Sequence, residues 1–259
     1  MVILILVGVA SGVTTAMFGF GGGFVAVPVL IWADAHLGGD AARVAVATSS
    51  VLMVVGAATA TASTRRDLLA EMRGSRLPLL LAAGGVVGAV AARHVPGDVI
   101  AVGFVVYLLL TIASVTVRPG FLEPVVDGAR PIPAVAGLPI GAVAAFLGVG
   151  GSVVTVPMMR RAGHPMAVAT ALANPLTLAV ALPATAVFLL LSGGRPAGAG
   201  PGFVGAVDVR AALALLVGSL PVIVVLRRRG PRLSDRAHAR WYVGLLVAVT
   251  VAMAATLFR

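Results

Sequence analysis

The stretch GFGGGFVAVP (residues 19–28) lies between two apolar runs, and a second copy, GVGGSVVTVP (residues 148–157), stands just past the middle of the 259-residue chain. Six of the ten positions are identical, and self-similarity of this kind is the mark of an internal repeat. Glycine and proline break helices. Inside a bilayer, broken backbone is tolerated only where it is buried in protein or lines a cavity. A pair of interrupted apolar segments at corresponding places in two halves is the sequence pointer to a transporter's binding site.

Composition agrees with a membrane setting. Hydrophobic residues make up 59% of the chain and charged residues 11%, against about 25% charged in soluble domains. The mean hydropathy is +1.08. Cysteine is absent, which removes disulfides and thiolate metal sites. The net charge of +10 comes from arginine, with no lysine. These arginines sit in short loops between apolar runs, as in the positive-inside pattern, and not on a soluble basic face of the kind nucleic acid requires. The chain enters an apolar run at once, without the basic stretch of a cleaved signal peptide.

Six runs are long enough to span a bilayer: residues 44–63, 77–92, 99–117, 167–191, 209–226 and 241–258. The regions 2–33 and 134–159 contain the breaks. Each could cross once as an overlong broken span or enter and return as a hairpin. If both are hairpins, the loops 64–76, 118–133, 160–165 and 227–240 share one side and carry 14 arginines against 5 on the other. If each crosses once, that bias vanishes. The hairpin reading therefore holds, with the arginine-rich loops cytoplasmic and both termini outside. Each half then has an odd number of full spans, so the halves are inverted. The expected fold is an all-α integral membrane protein of two inverted repeats, each a Gly/Pro-broken helical hairpin followed by three transmembrane helices. The first repeat is residues 1–117, the linker 118–133 and the second repeat 134–259.

The repeat extends beyond the glycines. Residues 45–48 (AVAT) match 167–170 (AVAT), and Arg76 with the run to Gly84 aligns more weakly with Arg210 and the run to Gly218. The cluster Gly84, Gly85 and Gly88 suits close helix packing; the second half lacks it.

Candidate binding residues follow from the breaks. Gly21, Gly22, Gly23, Gly150, Gly151 and Ser152 free backbone N–H groups at the start of new half-helices, where the dipole favours an anion. Thr48, Ser49 and Ser50, with Thr170 and Asn174 in the repeat mate, offer neutral hydroxyls and an amide, although such hydroxyls also bond back to their own helix. Asn174 precedes Pro175, which frees a carbonyl, so its amide serves either that kink or a substrate. No Asp, Glu, Arg or His falls mid-span, which suits an anion held by neutral dipoles and argues against a carboxylate relay or a metal site. Asp34, His36, Asp40 and Arg43 in the first outer loop, and His164 beside Arg160 and Arg161, read as solvated loop charges. The histidines, His36, His94, His164 and His238, lie at loops or span ends, and no nucleophile–base pair sits at depth. The chain is not expected to be an enzyme, and neither a cofactor nor a metal is expected.

The doubled motif, G-x-G-G-G-x-x-x-V-P and G-x-G-G-x-x-x-x-V-P, each followed by A-x-A-T, resembles the TauE/SafE-type sulfite exporter (TSUP) family over nearly the whole chain. Two departures are Ser152 in place of a third glycine and ALANP after Thr170 where the first copy continues with Ser49. The resemblance implies a permease of the bacterial inner membrane. It also implies export of a small sulfur-containing anion, sulfite or an organosulfonate, with protons as the coupling ion and alternating access around the midplane breaks. A passive anion channel or uniporter on the same scaffold, or a carrier of a non-sulfur organic anion, are the alternatives. The expected partners are that anion, protons and lipid, with no nucleic acid. The oligomeric state, a homodimer included, is not readable from the chain.

Overall fold

Apolar sequence on either side of the first glycine cluster forms two helices, α1 (Val2–Phe18) and α2 (Gly23–Ala33), in the computed structural model, which describes residues 1–70, 72, 74–122, 132–191, 196, 198–229 and 233–258. Around the second cluster stand α7 (Gly137–Leu147) and α8 (Ser152–Arg161). The other helices are α3 (Ala41–Ala62), the short α4 (Arg66–Ala70), α5 (Leu77–His94), α6 (Gly97–Val117), α9 (Met166–Leu190), α10 (Val209–Arg229) and α11 (Asp235–Leu257). A 3-10 turn, Ala35–Asp40, leads into α3, and a two-residue antiparallel ribbon, β1 (Phe203–Val204) with β2 (Val207–Asp208), precedes α10. Most of the expected linker, with Glu123 and Asp127, lies outside the described residues, as do Arg73, Arg130, Arg195, Arg232 and Arg259.

Six of these helices, α3, α5, α6, α9, α10 and α11, are long and apolar enough to cross a membrane. The protein is all-α apart from the ribbon. The six correspond to the six runs expected from hydropathy. α3 and α9 are the most buried, whereas α6 and α11 expose the larger share of their length. Large apolar side chains such as Leu79, Leu110, Leu190, Val217 and Val251 face outward, as lipid-facing positions do.

Small residues set the helix spacing. α5 and α7 lie side by side in the same direction: Gly137 and Gly141 meet Leu77–Leu81 backbone, while Gly84 and Gly88 meet the backbone of Leu138, Ala142 and Phe146. α1 and α10 do likewise, Gly8 against Leu215, Gly12 against Ser219, and Gly218 against Ile5 and Val9. In lipid, where apolar side chains gain nothing by leaving the solvent, such close backbone approach supplies the attraction. Gly88→Ala is expected to lower the thermal midpoint of the detergent-solubilised protein by several degrees, because its Cβ would overlap Ala142 O. Gly244→Ala, where a Cβ meets nothing within 4 Å, should be neutral or stabilising through helix propensity. Equal midpoints for the two variants would rule out packing as the reason for Gly88.

One end of the bundle collects the ends of α3, α6, α8 and α10 and the starts of α5, α7, α9 and α11. Arg227 donates to Thr64 Oγ1 and to Ala60 O, and Arg161 donates to Ser114 O at 2.7 Å. At the other end, Ile3 and Val7 of α1, Pro28, Val29 and Trp32 of α2, and Ala252 and Thr256 of α11 line one open surface groove.

Candidate functional site

The two glycine breaks come together where α3 crosses α9. Gly19, Gly21, Gly22, Gly148 and Gly150 have φ of 77°, 69°, 93°, 69° and 70°, the left-handed region that side chains other than glycine's adopt only at a cost. Those turns end α1 and α7 and start α2 and α8 beside the same two side chains. A Cβ at Gly21 would lie 2.8 Å from Thr177 Cγ2 and 3.2 Å from Met53 Cα; one at Gly150 would lie 2.9 Å from Thr177 Cγ2 and 3.1 Å from Met53 Sδ. Gly23 makes room for Met53 in the same way. Ser152 stands in the corresponding first helical position of α8, where the backbone is ordinary helix and a Cβ carries no conformational penalty.

Hydroxyls tie the breaks to the central helices. Ser49 donates to Val46 O at 2.9 Å and reaches Gly148 O at 3.2 Å. Thr177 donates to Gly19 O at 3.2 Å from the other side. Thr170 bonds back to Met166 O and Ser50 to Ala47 O, while Thr185 donates to Ser50. Thr48 faces the ribbon, accepting from Asp208 N at 3.0 Å. Asn174 donates to Thr170 O at 3.2 Å, so its amide does not serve the carbonyl that Pro175 frees, which belongs to Ala171. Two of the expected residues keep buried polar atoms without a hydrogen-bond partner, Asn174 Oδ1 and Ser152 Oγ, and so does Ser11 on α1 beside Gly22. Such atoms call for an explanation; the two hydroxyls retain an O–H to donate, whereas Asn174 Oδ1 can only accept.

The sulfite exporter TauE/SafE family model matches residues 4–257. The chain belongs to the TauE/SafE family. No curated protein and no solved structure gives a significant match. A TauE/SafE protein with six long apolar helices is a multi-pass membrane protein of a transporter family, not an enzyme. It has no cysteine, and among the described residues no group of His, Cys, Asp or Glu is placed to hold a metal.

Of the site expected in this TauE/SafE chain, Gly21, Gly23, Ser49 and Gly150 meet at the crossing, whereas Gly22 faces Ser11 and Thr15 of α1 and Thr48 and Ser50 turn toward other partners. Gly151 is less constrained than expected: its φ is −71° and a Cβ there would meet nothing closer than Val180 Cγ2 at 3.5 Å. Met53 and Thr177, which touch both breaks, were not among the expected residues. A helical-face reading places Met53 four residues beyond Ser49 and Thr177 three beyond Asn174, and that spacing was the available signal.

Several charges read as solvated are buried. Arg160 is 0% exposed and forms an ion pair with Asp235 at 2.6 Å; it also donates to Phe121 O and His164 O. His238 is buried and holds Met17 O at 2.7 Å, and Tyr242 donates to Val153 O at 2.9 Å. The start of α11 thus touches both broken segments, through Met17 before the first break and through Arg160 and Val153 beyond the second. Asp34, at the end of α2, is 5% exposed, with Oδ2 lacking a partner. Burial, then the neighbouring Asp208 charge, push its carboxyl up to about 6, against a smaller opposite pull from His36.

Proposed function

We propose that this TauE/SafE protein is a secondary transporter that exports a small sulfur-containing anion, sulfite or an organosulfonate, by alternating access around the two glycine breaks. The observation that carries this reading is the meeting of both breaks at Met53 and Thr177. There the N-terminal ends of α2 and α8 present free N–H groups and positive dipole ends, with no ionised side chain from the described residues among these contacts. Gly21–Gly23, Ser49, Gly150–Ser152, Thr170 and Asn174 are the proposed binding groups, with Met53 and Thr177 added. Thr48 and Ser50 would act through the ribbon and Thr185.

The same reading makes residues 1–117 and 134–259 two inverted repeats joined by 118–133. Exchange of the halves supports it: α1 against α10 mirrors α7 against α5, and Gly19 against Thr170 and Ala173 mirrors Gly148 against Val46 and Ser49. The positive-inside rule supports cytoplasmic arginine-rich loops with both termini outside, and membership of the TauE/SafE family supports a bacterial inner-membrane placement. Arg65, Arg66, Arg76, Arg118, Arg160, Arg161, Arg227, Arg228, Arg236 and Arg240 belong to one end of the bundle, and Arg43, Arg93 and Arg210 to the other.

The test is anion flux in proteoliposomes, with sulfite, thiosulfate, sulfate, taurine and a carboxylate control, each with and without an imposed pH gradient. Saturable flux of one sulfur anion driven by the gradient is expected. Flux of the carboxylate alone would move the substrate to a non-sulfur anion. Downhill flux indifferent to the gradient would make the protein a uniporter. No flux from folded protein would end the transport reading.

A further inference from the structure

Asp34 is a buried carboxylate that the site at the helix crossing does not use. It ends α2, its N–H donating to Leu30 O and its carbonyl accepting from Leu37 N, both at 2.9 Å. The side chain is 5% exposed, and Oδ2 has no partner. The ribbon β1–β2, contributed from the connection between α9 and α10, packs against the turn that follows: Phe203 is buried with Leu37, Ala41 and Val44. That same ribbon brings up Asp208. Its Oδ1 accepts from Arg210 N at 2.9 Å and Ala211 N at 3.1 Å, so it caps the start of α10. The Asp208 carboxylate therefore acts on a buried carboxyl that has no ion-pair partner among the described residues. Among the described residues, the other charged groups on the elements packed here are His36 of the 3-10 turn, whose pull on Asp34 is smaller than and opposite to that of Asp208, Asp40 and Arg43, which pair with each other at 2.7 Å, Arg210 at the start of α10, and Asp98 of α6, which lines one groove with Ala35, Gly38 and Gly39 of the turn.

We propose that Asp34 is the proton-binding carboxylate of the transport cycle, holding its proton while the ribbon Phe203–Asp208 is seated on the turn that carries it and losing it when the ribbon is displaced. This rests on the transport reading above and names the group that couples it to protons. Two connections carry the effect to the anion site. Asp34 ends the helix that begins at Gly22–Gly23, and Asp208 is bonded through its N–H to Thr48 on α3. An ionised Asp34 repels Asp208 and is left desolvated; a protonated one supplies an O–H donor and removes the repulsion. The sign follows. With the carboxyl near 6 when covered and near its ordinary 3.8 when uncovered, the seated ribbon is favoured in acid. It is progressively penalised between those two values and carries the full penalty above about 6.

The experiment has two readouts on the full-length protein. Infrared difference spectra, recorded from pH 4 to 8, follow the carbonyl band of a protonated carboxyl. The band is expected to disappear with a midpoint near 6 in wild type, to be missing in Asp34→Asn, and to titrate at lower pH in Asp208→Asn, whose amide oxygen can still cap α10. A band unaffected by Asp34→Asn, or a wild-type midpoint in the ordinary carboxylate range, overturns the proposal. In proteoliposomes, Asp34→Asn, a mimic of the protonated form, is expected to keep exchange of the anion and lose accumulation driven by a pH gradient. Gradient-driven accumulation at the wild-type level in that variant also overturns it. If wild type itself moves no anion, it is the transport reading that fails, and with it the coupling role, while the infrared midpoint still decides whether Asp34 holds a proton beneath the ribbon.

Discussion

Gly21→Ala is expected to abolish anion flux and to destabilise the protein by about 3 kcal/mol. Alanine must adopt a left-handed φ of 69°, which costs roughly 1–2 kcal/mol. Its Cβ would also lie 2.8 Å from Thr177 Cγ2 and 3.2 Å from the backbone of Met53, and overpacking of that kind adds roughly 1–3 kcal/mol. The neighbour cannot give way easily, because Thr177 is fully buried and bonded to Gly19 O. Gly150→Ala is the matching variant, with φ of 70° and Thr177 Cγ2 2.9 Å away. Gly151→Ala is the control: the φ is already that of an ordinary residue, the space is open to a methyl group, and the loss should stay within about 1 kcal/mol. Thermal unfolding in detergent and flux in proteoliposomes check all three. If Gly151→Ala were as damaging as Gly21→Ala, glycine itself and not the turn geometry would be what the site needs.

Arg160→Met is expected to cost about 3 kcal/mol of stability. Removing one member of a buried ion pair typically costs 3–5 kcal/mol, and the lower end applies because Asp235 is 38% exposed and can turn to water. The methionine fills much of the volume but leaves Phe121 O and His164 O without their donor. Asp235→Asn should be milder, since the amide can still accept from Met166 N, the bond that Asp235 makes at 2.8 Å. The order of the thermal midpoints, wild type above Asp235→Asn above Arg160→Met, is the check. The reverse order would mean that the carboxylate, not the guanidinium, organises the start of α11.

Much of the fold was legible because its determinants are local. Helix-breaking glycines end α1 at Phe18 and α7 at Leu147, and hydropathy marks the long helices. Neither requires knowing what a segment will touch. The candidate site was legible only to the level of the break. Which glycine is sterically fixed depends on φ and on what stands opposite, so Gly21 and Gly150 separate from Gly151 only in three dimensions. Met53 carries no polar group to draw attention in an apolar run, yet it touches both breaks. The pairing of the central helices also shifts. The AVAT match aligns Val46 with Val168, whereas the contacts of Gly19 and Gly148 set Val46 against Thr170 and Ser49 against Ala173, because packing follows the helix face and not letter identity.

Charges divide along the same line. The chain by itself determined the number of long apolar helices, the two broken segments and the bias of arginine toward one set of loops. These follow from composition, hydropathy and backbone stereochemistry residue by residue. Only the tertiary structure decided that Arg160, Asp34 and His238 are buried. Arg160 meets Asp235 across 75 positions of sequence, and Asp34 faces Asp208 across 174. Whether a loop charge is solvated depends on which distant segment folds over it, and a sequence window contains no term for that.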